Sequence, residues 1–241
     1  PWCFSVTTLC RKLNLKRLHL INDFEAVALG IQKTSAEYIT RIGPDIAPDP
    51  CANIGVIGPG TGLGVGMMVY DDASESFIPA PGEGGHVTMP GRNMREFEMI
   101  HWLESKKYSH VSAERVCSGK GLVNVYNALR AIDGVESTLP DRTPEEITHA
   151  ALSGECALCR EVLEMMLAFL GRVAGNLALT ITARGGIYFA GGILPKLGTE
   201  VIEASSLRKE FEAKGRFTDF MKEIPTYMVT DPFLALKGLC A

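Results

Sequence analysis

The sequence lacks any long run of basic residues, because no stretch of Lys and Arg exceeds two and the net charge is −4. A general nucleic-acid surface or anionic-membrane surface needs clustered positive charge, so neither partner is expected. Long apolar runs are also missing, since the longest is about one-third of the ~18 residues that a membrane-spanning helix needs. We therefore expect no transmembrane segment.

The sequence also lacks a disulfide pattern and a signal sequence. Its cysteines number seven and are scattered, which favours a reducing compartment and a cytoplasmic location. Cys156 and Cys159 form a C-x-x-C, but no second Cys or His pair lies at zinc-finger spacing. We expect these two thiols to serve packing, with a metal or redox role as the alternative. The start at Pro1 reads like the middle of a longer protein.

What is present is typical of a globular protein, with 46% apolar and 22% charged residues. Strands are predicted at 18–21, 53–57, 65–70, 76–80, 187–190 and 226–229. Helices are predicted at 5–14, 24–31, 94–108, 118–131, 144–152, 156–183, from near 195, and at 206–222. Residues 41–52 are rich in Gly and Pro and are predicted as a loop. The alternation of strands and helices indicates an α/β or mixed α+β fold.

The glycine-rich segment 58–64 is predicted to lie in a β-hairpin between two of these strands. Its glycines and the hydroxyl of Thr61 suit a phosphate cradle, because glycine lets backbone N–H groups approach an anion closely. It is not a Walker A loop, since no Gly-Lys-Ser/Thr follows, and Leu63 replaces the third glycine of a dinucleotide fingerprint. A tight turn without a ligand remains an equal alternative.

Other polar or glycine positions each allow two interpretations. Asp23 follows a predicted strand and either lines a cleft or caps a helix. Glu83 and His86 lie in a glycine-rich turn and can converge on hydroxyl groups, although a metal would need further ligands. Glu114 either acts in a site or is a solvated helix residue. Gly191-Gly192 either lies against a ring or a phosphate, or permits close packing of a helix on a strand.

Taken in order, these segments strongly resemble the bacterial-type glucokinase family. They are Leu-Ile-Asn-Asp-Phe-Glu-Ala-Val-Ala, Gly-Pro-Gly-Thr-Gly-Leu-Gly-Val, Pro-Gly-Glu-Gly-Gly-His-Val, His-Val-Ser-Ala-Glu-Arg-Val-Cys-Ser-Gly, Gly-Leu-Val-Asn-Val-Tyr, Gly-Asn-Leu-Ala-Leu and Phe-Ala-Gly-Gly-Ile. The resemblance covers almost the whole chain. It implies the actin/hexokinase-like ATPase fold, with two α/β domains and a cleft, and transfer of the γ-phosphoryl group of ATP to the 6-hydroxyl of glucose.

The resemblance also assigns roles to individual residues. Asp23 would be the general base, and the residues that would bind glucose are Asn22, Asp23, Gly62, Glu83, His86 and Glu114. The residues that would contact ATP are Gly58, Gly60, Thr61, Gly62, Gly191 and Gly192. Mg²⁺ would accompany ATP, and no protein metal ligand is assigned. Relatives are often dimers, so a homodimer is expected by analogy.

Two departures from the family pattern affect the expected activity. Relatives begin with a segment that carries a first phosphate loop of the type Asp-x-Gly-Gly-Thr-Asn, and nothing here matches it. By the same resemblance, the C-terminus is expected to stop inside what would be a final helix of the family. We therefore expect 33–229 to form the large domain, and 1–32 with 230–241 to be a remnant of the small one. Weak or absent kinase activity is the resulting hypothesis for this chain.

Two alternatives to a glucokinase stay open at this point. One is a sugar-binding regulator or a catalytically impaired fragment, and the other is a kinase of a different hexose. The related repressor/open-reading-frame/kinase family shares the fold and usually carries a zinc-binding Cys-x-Cys-Gly-x-x-Gly-Cys motif. This chain has Cys117 alone in that region, so that family is set aside and no zinc is expected.

Overall fold

The computed structural model describes residues 4–240 and confirms a mixed α/β fold. The strands are β1 (Ile39–Ile42), β2 (Ile54–Pro59), β3 (Leu63–Asp71), β4 (Ser76–Pro81), β5 (Ile187–Ala190) and β6 (Thr226–Val229). The helices are α1 (Val6–Lys12), α2 (Asp23–Ile31), α3 (Met94–Lys106), α4 (Gly119–Ile132), α5 (Pro144–Leu152), α6 (Ala157–Ile181), α7 (Leu194–Leu197), α8 (Thr199–Ala204), α9 (Leu207–Glu212), α10 (Thr218–Lys222) and α11 (Leu234–Leu239). Short 3₁₀ turns lie at Ala36–Tyr38, Gly84–His86, Ala113–Arg115 and Gly215–Phe217.

The strands form one six-stranded sheet in the order β1-β6-β5-β2-β3-β4. Strands β2, β5 and β6 are parallel, whereas β1, β3 and β4 each run antiparallel to a neighbour. The β2–β3 pair is the predicted hairpin, and it holds the glycine-rich segment. The carboxyl ends of parallel strands meet at one edge of a sheet, so residues following Pro59, Ala190 and Val229 converge there.

Helices cover both faces of the sheet. The larger core lies on one face, where α6 packs against α4, α5 and α9. On the other face α2 and α11 enclose a smaller core that includes Ala28, Val56, Met68, Val229 and Leu234. The side-chain oxygen of Asn22 caps α2 by accepting from the N–H of Phe24. The edge at which the parallel strands end therefore lies next to the first turn of α2.

Helix α6 is the central core helix. It has 25 residues, and its length and composition alone would allow it to span a membrane. However, 78% of its most apolar 18-residue stretch is buried inside the protein. That burial accounts for its composition. Cys156 and Cys159 lie at its start, and both are buried. The pKa of Cys159 is raised to about 12, mainly by burial and to a lesser extent by a hydrogen bond with Cys156. Their position agrees with a packing role.

The predicted strand at 18–21 is wrong. These residues have no regular secondary structure, and Leu20 is 58% exposed. A strand needs a hydrogen-bonded neighbour, and within residues 4–240 none pairs with this segment. Strand β1 was missed instead, because it is only four residues long and half of it falls in the predicted loop. It forms because β6 supplies an antiparallel partner, with Ile39 opposite Val229.

The predicted helix at 206–222 is also wrong as a single element. The structure has α9, then a 3₁₀ turn, then α10, and Gly215 between them has a φ of +59°. A positive φ cannot be part of a right-handed helix, so the chain changes direction at Gly215. The helix predicted near Pro195 is likewise divided, because Gly198 separates α7 from α8 at a φ of +82°.

Candidate active site

A cleft of about 600 Å³ opens at the edge where β2, β5 and β6 end. Every residue for which the sequence predicted a site role lies on its wall. These residues are Asn22, Asp23, Gly58, Gly60, Thr61, Gly62, Glu83, His86, Glu114, Gly191 and Gly192. Segments far apart in sequence are thus brought to one place by the sheet order, with none of the predicted residues left outside.

The hairpin connection forms one wall of the cleft. The N–H of Gly60 donates to the carbonyl of Gly62 at 2.8 Å, which closes the turn. The carbonyl of Gly60 accepts from the N–H of Gly119 at 2.8 Å, so the turn is held against the first residue of α4. Thr61, at the tip, is exposed. A rigid turn with a free hydroxyl at its tip is suited to receive a ligand.

Asp23 is the first residue of α2 and lines the same cleft. Its Oδ1 accepts from the N–H of Phe24 at 2.9 Å, and Asn22 Oδ1 accepts from the same N–H at 2.8 Å. Asn22 is the N-cap of α2 and Asp23 is the first residue of the helix, so the interpretation of Asp23 as the N-cap is wrong. Asp23 remains exposed, and the positive end of the helix dipole stabilises its negative charge. The arrangement presents a carboxylate to the cleft.

Glu114 is directly attached to the hairpin and is not a solvated helix residue. It lies in the 3₁₀ turn Ala113–Arg115, and its Oε2 accepts from the N–H of Leu63 at 3.1 Å. A Cβ on Gly62 would lie only 2.5 Å from that oxygen, so glycine is what permits this approach. The carboxylate therefore lies next to the glycine turn.

Glu83 directly precedes the 3₁₀ turn Gly84–His86, His86 ends that turn, and both residues line the cleft. Their Oε2 and Nε2 atoms are 3.8 Å apart, and the side chains are 77% and 60% exposed. The turn is tied to the Glu114 segment, because the N–H of Ala113 donates to the carbonyl of Val87 at 2.9 Å. Carboxylate and imidazole groups in this position can form directional hydrogen bonds with a polar, uncharged ligand.

The glycines of the cleft fall into two classes. A Cβ on Gly60 or on Gly192 would meet no protein atom within 4 Å. A Cβ on Gly58 would overlap the carbonyl oxygen of Ala190 and the ring of Phe24, and one on Gly191 would lie 2.6 Å from the carbonyl oxygen of Pro59. Close packing thus accounts for Gly58 and Gly191, whereas Gly60 and Gly192 border open space that a ligand can fill.

Gly60→Ala and Gly58→Ala are expected to have opposite effects. Gly60→Ala should leave the melting temperature unchanged and raise the KM for a ligand bound beside the turn about tenfold, because its methyl group meets no protein atom and projects into the cleft. Gly58→Ala should lower stability by about 1–3 kcal/mol, since the backbone oxygen of Ala190 cannot move aside. Thermal unfolding and KM measurements on both variants test this. A destabilised Gly60→Ala protein with a normal KM would contradict it.

Several cleft residues were missed by the sequence analysis. Phe24 lies under the hairpin, and Thr230, Asp231 and Pro232 follow β6 on the cleft wall. Burial raises the pKa of Asp231, but Lys237, Thr34 and the N–H of Phe233 outweigh burial and hold this pKa below its usual range. The available signal was a polar residue directly after a predicted parallel strand.

A protein-bound metal was not assigned from the sequence, and the structure offers no cluster for one in the part of the chain that it describes. Across residues 4–240, no three His, Cys, Asp or Glu side chains come together where they could hold a metal ion. Mg²⁺ in phosphoryl-transfer sites needs only one or two carboxylates, because substrate phosphates and water complete its coordination.

Comparisons with known proteins identify the family that this chain is similar to. A model of the glucokinase family matches residues 1–241. The glucokinase of Paramagnetospirillum magneticum is 43% identical over 239 residues, which are 99% of this chain and 73% of that protein. The structure of a glucokinase from an Antarctic psychrotroph has a TM-score of 0.86 and 31% identity, covering 98% of this chain and 71% of that one.

A more distant structure shares the fold alone. It is a ROK family glucokinase from Streptomyces griseus in complex with glucose and AMPPNP, with a TM-score of 0.61 and 16% identity over 97% of this chain and 70% of that one. The fold is therefore the actin/hexokinase-like ATPase fold. Because the family model matches residues 1–241 of this chain, the chain belongs to the glucokinase family and is a transferase of the ATP-dependent hexose kinase class.

Proposed function

We propose that this chain transfers the γ-phosphoryl group of ATP to the 6-hydroxyl of glucose, with Asp23 as the general base. The observation that carries the proposal is that one exposed carboxylate, at the start of α2, lines the same cleft as the Gly60–Gly62 turn. A base must reach the attacking hydroxyl, and a phosphate cradle must hold the group that is attacked. Both features border the same space.

Glucose would be bound by side chains that form hydrogen bonds without needing a charged partner. We assign this role to Asn22, Asp23, Glu83, His86 and Glu114, with the backbone of Gly62 beside the sugar. These residues come from three separate segments of the chain that line the cleft, so together they can contact several hydroxyl groups of the ring. Carboxylates form strong hydrogen bonds with hydroxyl donors, which offsets the loss of water on binding.

ATP would be held on the side of the cleft formed by the hairpin and by the end of β5. We assign the phosphates to Gly58, Gly60, Thr61 and Gly62, and the adenosine to Gly191 and Gly192. The open space beside Gly60 and Gly192 fits a ligand of this kind, since no protein atom would be displaced. Mg²⁺ would arrive on the phosphates, where it balances charge. The AMPPNP complex of the Streptomyces griseus protein supports an ATP-like ligand for this fold.

The chemical step that follows from these assignments is an in-line displacement. The 6-oxygen of glucose attacks the γ-phosphorus, the bond from phosphorus to the β,γ-bridging oxygen breaks, and Asp23 takes the hydroxyl proton. Phosphoryl transfer depends mainly on positioning and charge stabilisation, so the fixed hairpin would contribute to the rate together with the base. The products are glucose 6-phosphate and ADP, and ADP leaves with the bridging oxygen.

Three further assignments belong to this proposal. The chain divides into a large domain, 33–229, and a remnant of a small domain formed by 1–32 and 230–241. It acts in the cytoplasm, where ATP is available and thiols stay reduced. It forms a homodimer, by analogy with relatives. Small-angle scattering with and without glucose would test the division, and sedimentation would test the dimer.

A coupled assay of glucose-dependent ADP formation, with calorimetry of glucose binding, tests the function. Turnover that produces glucose 6-phosphate supports the proposal. Binding without turnover indicates the alternative of a sugar-binding, catalytically impaired chain. Faster turnover of another hexose in a panel of epimers indicates a kinase of that sugar. The absence of both glucose binding and turnover would contradict the kinase and also the sugar-binding alternative.

A further inference from the structure

The phenyl ring of Phe24 lies in a hole made by two glycines that face each other across the hairpin. Gly58 in β2 and Gly64 in β3 are direct partners in the antiparallel register. A Cβ on either glycine would overlap the Phe24 ring, so the ring fills the space that two side chains would otherwise take. Packing accounts for both glycines, through the Phe24 ring at Gly64 and through the ring together with the carbonyl oxygen of Ala190 at Gly58.

The backbone of Phe24 is fixed as well as its ring. Its N–H is shared between Asn22 Oδ1 and Asp23 Oδ1, at 2.8 and 2.9 Å. Its carbonyl oxygen lies so close to β3 that a Cβ on Gly66 would be 2.7 Å away. The first turn of α2 is thereby attached to the hairpin through one residue, and that residue directly follows Asp23.

From this geometry we propose that Phe24 is a positioning residue that sets the distance between the Asp23 carboxylate and the Gly60–Gly62 turn. The inference rests on the proposed role of Asp23 as the base. Without the ring, the hairpin beneath the first turn of α2 would present bare glycine, and the position of that turn would depend on contacts further along the helix, such as that of Ala28 beside Gly66. A shift of about 1 Å in a reacting group can cost about 10²-fold in rate.

The expected result of Phe24→Ala is therefore a fall in kcat of about 10²-fold, with a KM for glucose that changes little. The sugar contacts from Glu83, His86 and Glu114 lie on other elements and remain in place. Phe24→Leu, which keeps part of the volume, should recover much of the lost kcat and keeps the test available if the alanine variant does not fold. A raised KM for glucose with an unchanged kcat would overturn the proposal.

Gly64→Ala tests the same contact from the other side. The new methyl group occupies the position of the ring and should lower kcat by pushing α2 away. In a Phe24→Ala background the ring is absent, so Gly64→Ala should add almost no further loss. If the fold-losses of kcat from the two single changes multiply in the double variant, the proposal is overturned, because Gly64 and Phe24 then act separately.

Matched controls separate positioning from general destabilisation. Phe77 packs against the same small core but lies outside the cleft, and a Cβ on Gly91 would lie 2.9 Å from the Phe97 ring, also outside the cleft. Phe77→Leu and Gly91→Ala should lower the melting temperature without changing kcat. An equal loss of kcat in these controls at matched stability would overturn the positioning role.

Asp23→Asn distinguishes failure of this inference from failure of the proposed function. If Asp23 is the base, Phe24→Ala should cause no additional loss of kcat in the Asp23→Asn protein. Full turnover by Asp23→Asn alone would overturn the assignment of the base, and the inference with it. A multiplicative loss in the Asp23→Asn/Phe24→Ala protein would overturn the inference and leave the base assignment standing. A wild-type chain without turnover would overturn both.

Discussion

Asp23→Asn is expected to lower kcat by about 10²–10⁴-fold, the usual contribution of a general base. The asparagine side chain has nearly the same shape, and its Oδ1 can still accept from the N–H of Phe24, as Asp23 does at 2.9 Å. What is lost is the basic oxygen that takes the hydroxyl proton. The KM for glucose should change little, because most of the proposed sugar contacts come from other residues. The measurement is steady-state kinetics in the coupled assay.

Glu25→Gln is the matched control for this prediction. Glu25 lies in the same first turn of α2 and carries the same charge, but it is not part of the cleft wall. Both variants remove one negative charge near the helix N-terminus, which costs about 0.3–1 kcal/mol of stability. Only Asp23→Asn should lose activity. More than a tenth of the wild-type kcat in Asp23→Asn would contradict the assignment of the base.

Arg172→Ala is expected to lower the free energy of unfolding by about 3–5 kcal/mol, the cost of breaking a buried ion pair. Arg172 is 5% exposed and lies in α6, and its two terminal nitrogens donate to the carboxylate of Glu96 at 2.6 and 2.8 Å. Its Nε donates to Glu210 at 2.6 Å. Removing the guanidinium leaves Glu96, itself 4% exposed, without its cation. Denaturant unfolding measures the loss.

The control for the ion pair is Arg184→Ala. The Arg184–Glu223 pair is 2.8 Å long but exposed on both sides, so its loss should cost no more than about 1 kcal/mol. Replacing both Glu96 and Arg172 by apolar residues of similar volume should restore much of the stability, since no unpaired charge is then buried. An Arg172→Ala protein as stable as Arg184→Ala would contradict the prediction.

The pH dependence of the free energy of unfolding provides a second test of the ion pairs that Arg172 forms. Burial raises the pKa of Glu210, but Arg172 and Arg92 outweigh burial and hold this pKa below its ordinary value. A carboxyl whose folded-state pKa is lowered adds stability above its unfolded pKa and loses it as the pH falls through the folded pKa. The wild type should therefore lose more stability on acidification than Arg172→Ala, whose Glu210 has already lost one cation.

The sequence was most informative where motif and periodicity coincided. The strand–glycine–strand pattern around 58–64 predicted a hairpin, and β2 and β3 confirm it. Apolar spacing predicted the long helix, which runs from Ala157 to Ile181. The ordered series of motifs indicated the family, which the comparisons confirm. These features depend on local chain preferences and on motifs, so they can be read without knowing what packs against what.

Local pattern failed where a neighbour decides the conformation. Residues 18–21 are apolar, but within residues 4–240 no strand pairs with them, so they remain irregular. Residues 39–42 look unremarkable and become a strand because β6 lies beside them. A single positive φ at Gly215 divides a pattern that looked like one helix. Hydrophobic periodicity predicts neither which strands pair nor which glycines adopt a positive φ.

The sequence by itself determined the residues available for chemistry: the carboxylates of Asp23, Glu83 and Glu114, the imidazole of His86 and the glycine-rich turn. Only the tertiary structure decided that they share one cleft, because the order of parallel strands brings their carboxyl ends to one edge. The structure alone also sorted the glycines. Gly58 and Gly64 make room for the Phe24 ring, whereas Gly60 and Gly192 border open space, since a Cβ clashes only where another part of the folded chain already lies.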